Sequence, residues 1–404
     1  MSATTMTTPE HQEVQFTKQA PLEKLRQTKR FTPSTSNNIN GRQGEKIYID
    51  VADAESLADL VHSYFLFKIS ASQTGGTEVR LNNYAASQWI KSIRVMIGGT
   101  ELEYINDYNV QHRARGEMFL SAEYKNSIFG KDHQGIGDAT ERLGWATNGK
   151  QFAFQPLGFL STNKYLPLPL LSKMQIQIEM ESPENYLTYD GTAPVYTVEY
   201  IRYLVDTVTV GEGQLMAMRN NAAQKGVPFH FSTFSNSVRD TPTGTRDSFE
   251  LGTVVGSVKD IKMITVLDAD RDVSTEEYVP SFKLNNLSRY NIRLGHKNLR
   301  EDQVIVSTTE LAEASAELLK SEHLYPLVSI GSSDVTDYTT RFMIGQQVDV
   351  SRNPDTLNSV EQRFNNSVQI DVDYSETPGS GIVYASVHVD RTLTFLAGRA
   401  VRVE

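Results

Sequence analysis

The chain has 404 residues, 39% hydrophobic and 22% charged, and this balance excludes an intrinsically disordered protein. Its net charge of −10 argues against a broad nucleic-acid-binding face, because phosphate binding requires clustered lysine and arginine. The absence of cysteine excludes disulfides, thiolate nucleophiles and cysteine-bound zinc.

The first 44 residues are rich in polar and basic side chains and contain few apolar ones. This composition is typical of a disordered tail, or of an extended arm that becomes ordered on a partner. The segment lacks the apolar run of a secretory signal. Four basic residues of the arm are a candidate contact for an anionic membrane or a neighbouring subunit: Lys24, Arg26, Lys29 and Arg30.

From residue 45 the sequence becomes strand-like. Residues 45–51, EKIYIDV, alternate apolar and polar side chains, which predicts a strand with one buried face. Two longer alternating runs meet at Gly98-Gly99, a pairing that predicts a β-hairpin. Apolar residues at helical spacing then predict one helix of about four turns beginning near Tyr108.

The rest of the first half mixes loops and strands. Residues 130–150 hold several glycines without a clear period, and they predict a long exposed loop. Pro167 and Pro169 lack the N–H that a central strand must donate, so they predict an edge segment. Alternating runs at 173–180 and 194–210 predict the closing strands.

Glycine and asparagine interrupt this pattern at 211–227, which predicts a connector with a short helix. Strand-like segments resume at 228 and continue to residue 404. Among them, STTELAEASAELLKSE predicts a second helix, with Ser307 and Glu310 forming a capping box. The expected buried side of this helix consists of Leu311, Ala314, Leu318 and Leu319.

Two pairs of segments suggest an internal repeat. IRVMIGGTELE at 93–103 matches YNIRLGHKNLR at 290–300, with Gly98 aligned on Gly295. The alternating run that contains Val195-Tyr196 matches the run that contains Val383-Tyr384. Because strands, helix and closing strand recur in the same order, the sequence predicts two tandem eight-stranded jelly-roll β-sandwiches, each with an inserted helix. The predicted units are an arm at 1–44, sandwiches at 45–210 and 228–404, and the connector at 211–227.

Sequence patterns for catalysis are missing. There is no HExxH, no GxSxG and no phosphate-binding GxxxxGK[ST]. The histidines are not spaced as metal ligands on one helix face, so each is interpreted as a surface or core-edge side chain: His11, His62, His112, His133, His230, His296, His323 and His388. No catalytic, cofactor-binding or metal-binding residue is therefore predicted.

One acidic loop partly resembles a calcium-binding loop. Asp268, Asp270 and Asp272 have the first spacings of an EF-hand, but Val273 replaces the required glycine and Val279 replaces the bidentate glutamate. A solvated acidic loop is the favoured interpretation, and a weak ion site stays open as the alternative.

With a basic arm, two successive sandwiches and a helix after the glycine turn in each, the chain resembles the double jelly-roll major capsid proteins of tailless membrane-containing phages, adenovirus-like viruses, Polinton-like viruses and virophages. The local sequence pattern also resembles that of this family in three segments: QWIKSIRVMIGGTELEYI, YLPLPLLSKMQIQIEM and TLTFLAGRAVRV. The resemblance covers most of the chain but rests on no diagnostic motif.

The resemblance implies a structural, non-enzymatic protein of the virion. It implies a homotrimer whose six jelly rolls form a pseudo-hexagonal tile, with the strands upright in the shell, loops such as 130–150 facing outward and the arm facing inward. The implied partners are neighbouring capsomers, penton and minor capsid proteins and an internal membrane, without specific nucleic-acid binding. The alternative is a glycan-binding or glycan-processing enzyme built on paired β-sandwiches, which requires an acidic or aromatic cleft.

Overall fold

The computed structural model describes residues 26–253, 257–270, 282–307, 309–321, 341–348, 367–396 and 401–403. The strands of the first half are β1 Arg26–Phe31, β2 Asn38–Asn40, β3 Lys46–Val51, β4 Ser56–Thr74, β5 Val79–Leu81, β6 Ile90–Ile97, β7 Thr100–Asn106, β8 Lys150–Phe154, β9 Tyr165–Pro167, β10 Met174–Met180, β11 Leu187–Tyr189 and β12 Thr192–Thr209.

The described strands of the second half are β13 Val227–Asp240, β14 Arg246–Thr253, β15 Ser257–Leu267, β16 Leu287–Leu294, β17 Lys297–Asn298, β18 Val304–Ile305, β19 Met343–Gln347, β20 Ser367–Tyr374, β21 Gly381–Phe395 and β22 Val401–Val403. The described α-helices are α1 Ala85–Gln88, α2 Tyr108–Phe119, α3 Ala122–Lys125, α4 Ala139–Asn148, α5 Pro183–Tyr186, α6 Glu212–Gln224 and α7 Ala312–Ser321.

Each half contains two antiparallel sheets whose main path is four strands wide. In the first half the paths are β1-β12-β4-β8 and β3-β10-β6-β7, and in the second they are β13-β21-β15-β19 and β14-β20-β16-β17. The order of strands along the chain is the same in the corresponding sheets of the two halves, so β1, β12, β4 and β8 correspond to β13, β21, β15 and β19, and β3, β10, β6 and β7 to β14, β20, β16 and β17. The prediction of two tandem eight-stranded jelly rolls is thus confirmed.

The aligned hairpins occupy the same place in both halves. Val95 of β6 lies opposite Ile176, and its aligned residue Ile292 of β16 lies opposite Ile370. In both halves this is the contact between the first strand of the hairpin and its neighbour in the four-stranded path, β10 or β20. The repeat seen in the sequence is therefore also a repeat in space.

Alternation along the strands places the cores between the sheets. β3 and β20 bury every second residue, as their sequences predict. β15 differs, because all its residues except the two ends are buried. The first sandwich and α2 contribute to this burial, since Gln111 and Arg115 line one small cavity together with Lys262 and Ile264.

The two inserted helices occur where they are predicted, but their first or last residues differ from the predicted ones. α2 stops at Phe119 and buries Val110, Ala114 and Met118. α7 begins at Ala312, five residues after the predicted cap. The capping-box prediction is wrong because the Ser307 hydroxyl accepts a hydrogen bond from the Thr309 amide, which forms a local turn and not a helix start.

The prediction of a long loop at 130–150 is also wrong. This region contains a π-helical turn at Gly130–Gln134 and the helix α4. Asp138 caps α4, and Glu141 bonds back to the Asp138 amide, so the capping box that the glycine-rich composition obscured is found here. Ala146 of α4 is fully buried in the first core, so the segment packs on the sandwich.

The described part of the N-terminal segment begins at Arg26 with strand β1. β1 pairs antiparallel with β12, and β2 pairs with β12 farther along. By its position in the sheet, β1 corresponds to β13 of the second half. The described end of the predicted arm thus supplies the outer strand of the first sandwich.

Candidate functional site

The two sandwiches meet through interlocked cores. The first core includes Phe229 and Phe231 of β13, and Leu393 and Phe395 of β21. Conversely, the α2 residues Val110, Ala114 and Met118 belong to the second core. Each half therefore completes the hydrophobic core of the other.

Aromatic rings form the centre of this contact. The ring of Phe159, from the 3-10 turn Gly158–Ser161, lies 5.0 Å from that of Phe231 in an edge-to-face arrangement and 6.0 Å from that of Phe229. Phe159 is fully buried and Phe231 is 1% exposed. Such geometry stabilises aromatic pairs beyond the area they bury.

Hydrogen bonds between β7 and strands of the second sandwich cross the same contact. The Thr233 hydroxyl donates to Glu103 Oε1 at 2.6 Å, and the Asn236 amide donates to the Asn106 carbonyl at 2.7 Å. Arg391 donates to the Leu102 carbonyl at 3.2 Å. The strand β7 is thus the polar link between the halves.

Glu103 is the buried carboxyl of this link. It is 1% exposed, and burial raises its pKa to about 7 against the opposing effects of the hydrogen bonds from Thr233 and the Phe159 amide and of the positive charge of Arg391. The sequence analysis missed this residue. The available signal was its position two residues before Ile105, on the strand face that carries a core side chain.

The four basic residues proposed for membrane or subunit contact are not equivalent. Lys24 lies outside the described residues. Arg26 bonds Asp206 at 2.7 Å, and Lys29 bonds Asp53. Arg30 is exposed and makes no ion pair with the described residues.

The ion pairs fasten β1 to its own sandwich. Asp206 accepts hydrogen bonds from Arg26 and Thr28. Burial raises the pKa of Asp206, but these two bonds outweigh it, so its pKa lies below the ordinary value. Two of the predicted contact residues therefore already have carboxylate partners.

A buried charge network lies within the second sandwich. His388 Nδ1 is 2.7 Å from Asp260, which also bonds Lys262, and Lys259 is 3.6 Å from Asp390. Burial raises the pKa of Asp260, but the charges of Lys262 and His388 outweigh it and lower the pKa overall. The charges compensate one another, which is typical of a structural network.

His112 is a core residue. Its ring packs edge-on against Phe154 at 4.9 Å and stacks on Tyr108 at 5.9 Å. Burial, assisted by the charge of Arg115, lowers its pKa to about 3. The imidazole is neutral at physiological pH and is buried among aromatic rings. A general base must reach its substrate and have a pKa near the working pH, so His112 is not suited to that role.

The acidic loop falls partly outside the described residues, because Asp272 does. Asp268 and Asp270 lie in a 3-10 turn, and Asp268 accepts a hydrogen bond from Ser380. Within the described ranges, no cluster of three histidine or acidic residues is arranged to hold a metal ion. Likewise, each described helix is too short or too polar to cross a bilayer.

The cavities described do not favour the glycan-processing alternative. The cavity between the sandwiches holds about 10 Å³, which is space for roughly one water molecule. A larger open depression of about 370 Å³ lies near Asn40 and Ser182, and its lining contains one carboxylate, Glu184, and no aromatic ring. A glycosidase needs two carboxylates across its substrate.

Comparison with known proteins finds the same fold in viral capsids. No protein-family model matches the chain, and no curated protein sequence matches it. Among solved structures, the PBCV-1 virus capsid has a TM-score of 0.65 at 11% identity, covering 96% of this chain and 98% of that one. The Faustovirus major capsid protein has a TM-score of 0.62 at 8% identity, covering 93% and 91%.

The structure of the Sputnik virophage is similar as well, with a TM-score of 0.56 at 10% identity, covering 100% of this chain and 93% of that one. At such identities the likeness establishes the fold. The expected resemblance to double jelly-roll major capsid proteins is confirmed at that level, over nearly the whole chain.

Proposed function

We propose that this chain is the major structural subunit of a viral shell. The observation that carries the proposal is the repeated sheet order of the two sandwiches, together with the full-length similarity to capsid proteins. A shell subunit needs rigidity and repeated sides, which two interlocked sandwiches provide. It needs no active site, and the closed contact between the sandwiches is compatible with a non-enzymatic role.

The proposed assembly is a homotrimer that forms a pseudo-hexagonal tile in the virion. Three copies of a duplicated sandwich present six similar sides, so tiles can pack around one another with the strands upright. The proposed units are the sandwiches at 45–210 and 228–404, the connector at 211–227 and, from Arg26, the part of the arm that completes the first sandwich. Neighbouring capsomers, pentons and minor capsid proteins are the proposed partners.

Light scattering coupled to size-exclusion chromatography tests the assembly. We expect a stable particle of about three times the chain mass of 45.3 kDa, with a hexagonal outline in electron micrographs. A monomer that binds glycans would contradict the shell role and favour the sandwich enzyme.

Exposed apolar side chains offer a test of where copies touch. Ile128 and Phe129 are adjacent and are 72% and 60% exposed. We propose that a neighbouring copy covers them, because exposed apolar pairs favour burial on association. The variant I128E/F129E is expected to lower the trimer fraction, whereas M216E, at a side chain 56% exposed on the connector helix, is the matched control and should remain trimeric. A fully trimeric I128E/F129E would place the contact elsewhere.

An internal membrane remains a proposed partner of the N-terminal basic residues. Arg30 is the best placed of the described ones, since Arg26 and Lys29 would first have to leave Asp206 and Asp53. Cosedimentation with vesicles tests this contact. Anionic vesicles should retain the wild type more strongly than K24A/R30A, and neutral vesicles should retain neither; equal retention of both proteins would contradict the proposal.

A further inference from the structure

We propose that copies of this chain bind head to tail, with residues 301–305 of the second sandwich in one copy contacting strand β1 of the first sandwich in the next copy. This contact repeats, between copies, the internal contact that β7 makes with β13. The inference rests on the proposed function, because it names the surfaces through which the subunits of the shell meet. The partner is therefore a second copy of this chain.

The internal contact joins a sheet edge of the first sandwich to a sheet edge of the second. β7 ends the path β3-β10-β6-β7, and β13 begins the path β13-β21-β15-β19. The Thr233 hydroxyl of β13 donates to Glu103 of β7 at 2.6 Å. The Asn236 amide of β13 donates to the Asn106 carbonyl of β7 at 2.7 Å. An edge of one sandwich thus already binds an edge of another within the chain.

The duplication supplies a second example of each edge. β1 holds in the first sandwich the place that β13 holds in the second. β17 and β18 pair with β16 as β7 pairs with β6. The internal contact uses β7 and β13, and their counterparts are β18 and β1. Two copies can join these counterparts through the arrangement that each chain already uses internally.

The strand register places Ile305 where the first sandwich has Asn106. Asn106 lies opposite Ser92 of β6, and Ile305 lies opposite Arg289 of β16. Ser92 and Arg289 correspond, because each is three residues before the aligned valine or isoleucine of its hairpin. Asn106 contacts β13, whereas the Ile305 side chain is 46% exposed. Burial of this apolar side chain against a second copy is favourable.

The residues before Ile305 are acidic. Glu301 and Asp302 are exposed, and neither forms an ion pair with any residue in the described ranges. Asp302 is three residues before Ile305, as Glu103 is three residues before Asn106. Glu103 is the carboxyl group that accepts from β13. The second sandwich therefore presents a carboxyl group at the corresponding place, directed at no partner within the described chain.

Strand β1 is basic where residues 301–305 are acidic. Arg26 pairs with Asp206 and Lys29 with Asp53, so these two charges are compensated within their own sandwich. Arg30 is exposed and makes no ion pair with the described residues, so its charge can meet a carboxylate of another copy. Opposite charges on the two surfaces favour this pairing, and like charges disfavour the contact of β1 with another β1.

The two surfaces of this contact differ, so the contact is heterologous and each copy carries one of each. Such contacts close into a ring when the rotation between copies is suitable, and otherwise they continue as a filament. In the proposed tile three copies close the ring. Internal and intermolecular contacts then alternate around the six sandwiches, which explains how a duplicated chain forms similar junctions on all sides.

Charge reversal tests the contact by size-exclusion chromatography with light scattering. Arg30→Glu and, separately, the double variant E301R/D302R should each lower the association constant at least about tenfold, because each brings like charges together. The combination of all three substitutions restores opposite charges and should recover the trimer. Lys46→Glu on β3 and Glu250→Arg on β14 are matched controls, since they reverse exposed charges at the opposite sheet edges, and both should remain trimeric.

The outcomes separate this contact from the proposed function. A monomeric wild type would contradict the shell role itself. A trimeric wild type with equally trimeric Arg30→Glu and E301R/D302R would overturn the head-to-tail contact alone. Failure of the combined variant to recover the trimer would also overturn the pairing of these surfaces, and its recovery would exclude misfolding as the cause of the single losses.

The apolar part of the contact has its own test. Ile305→Ser should lower the association constant roughly tenfold, because it removes the side chain that the neighbouring copy buries. The loss should persist at high salt, where charge pairs at the surface are screened. Ile305→Val keeps most of the apolar surface and should lose less. An association constant unchanged by Ile305→Ser would overturn the proposal.

A membrane is the alternative partner of Arg30, and vesicles separate the two. We expect Arg30→Glu to lose the trimer, and E301R/D302R to lose the trimer while keeping its binding to anionic vesicles. An Arg30→Glu variant that remains trimeric but no longer cosediments with anionic vesicles would assign Arg30 to the membrane and overturn the head-to-tail contact.

Discussion

Gly98 and Gly295 have almost the same backbone φ angle, 57° and 58°, and each follows the aligned strand of its sandwich. In the first half, Gly98 and Gly99 both have positive φ, as a two-residue hairpin turn requires. The two hairpins thus share a two-residue loop that begins on a glycine with positive φ, for which a residue without a Cβ is best suited. The second loop residue has positive φ only in the first half, at Gly99 and not at His296, so the two turns differ in type.

Gly98→Val should destabilise the protein by about 1–2 kcal/mol, because a β-branched side chain is strained at positive φ. A Cβ at this position would also lie 3.1 Å from the Ser172 hydroxyl oxygen. Urea unfolding measures the loss. Gly98→Asn is the control and should lose less, since asparagine tolerates this conformation; equal losses would show that side-chain bulk, not backbone strain, decides.

Phe231→Ala should cost about 3–5 kcal/mol, because it removes a buried ring packed on Phe159 and leaves a cavity. The two tryptophans, Trp89 and Trp145, both lie in the first half. Tryptophan fluorescence should therefore report a lower unfolding midpoint although the substitution is in the second half. Phe231→Leu, which keeps most of the volume, should lower the midpoint less. An unaffected fluorescence transition would show that the halves unfold independently.

Removal of residues 1–31 should cause aggregation or a lower melting temperature. It takes away β1, exposes the edge of β12 and leaves Asp206 and Asp53 without Arg26 and Lys29. Removal of residues 1–25 keeps every one of these contacts and should leave a higher melting temperature than removal of residues 1–31. Light scattering during a thermal scan compares the two, and equal behaviour would argue that β1 does not protect this edge.

His112→Phe should remove part of the acid sensitivity of the protein. Its folded pKa of about 3 lies below the ordinary 6.5, so the stability it contributes is complete above pH 6.5 and is lost as pH falls toward 3. The full loss is about 5 kcal/mol. Urea unfolding at pH 7 and pH 4.5 should show a smaller difference for the variant, and a difference equal to that of the wild type would disprove a buried neutral histidine.

Local rules predicted much of the fold. Alternation in EKIYIDV and KMQIQIEM predicted β3 and β10, because successive side chains of a strand point to opposite faces. The helix at α2 was predicted from apolar spacing, and the hairpin from Gly98-Gly99. Each of these signals acts over a few residues, so neighbours in sequence are sufficient to produce it.

The same rules failed where local signals were weak or misleading. The glycines between 130 and 150 concealed α4, although Asp138 and Glu141 form a capping box there. The pair Ser307 and Glu310 met the same pattern without starting a helix. Both segments are followed by a helix that buries apolar residues, so burial does not separate them. The difference is the hydrogen bond of the cap side chain, which Asp138 accepts from the amide three residues on and Ser307 from the amide two residues on.

The sequence by itself determined the repeated order of alternating strands and the positions of the turns, because strand periodicity and glycine conformation are local properties. It also showed that the common catalytic motifs are missing. Only the tertiary structure decided that the N-terminal segment joins the first sheet, that α2 packs into the other sandwich and that Glu103 is buried between the halves. These relationships join residues far apart in the chain. Their energies come from desolvation and packing, which exist only once the two sandwiches are in contact.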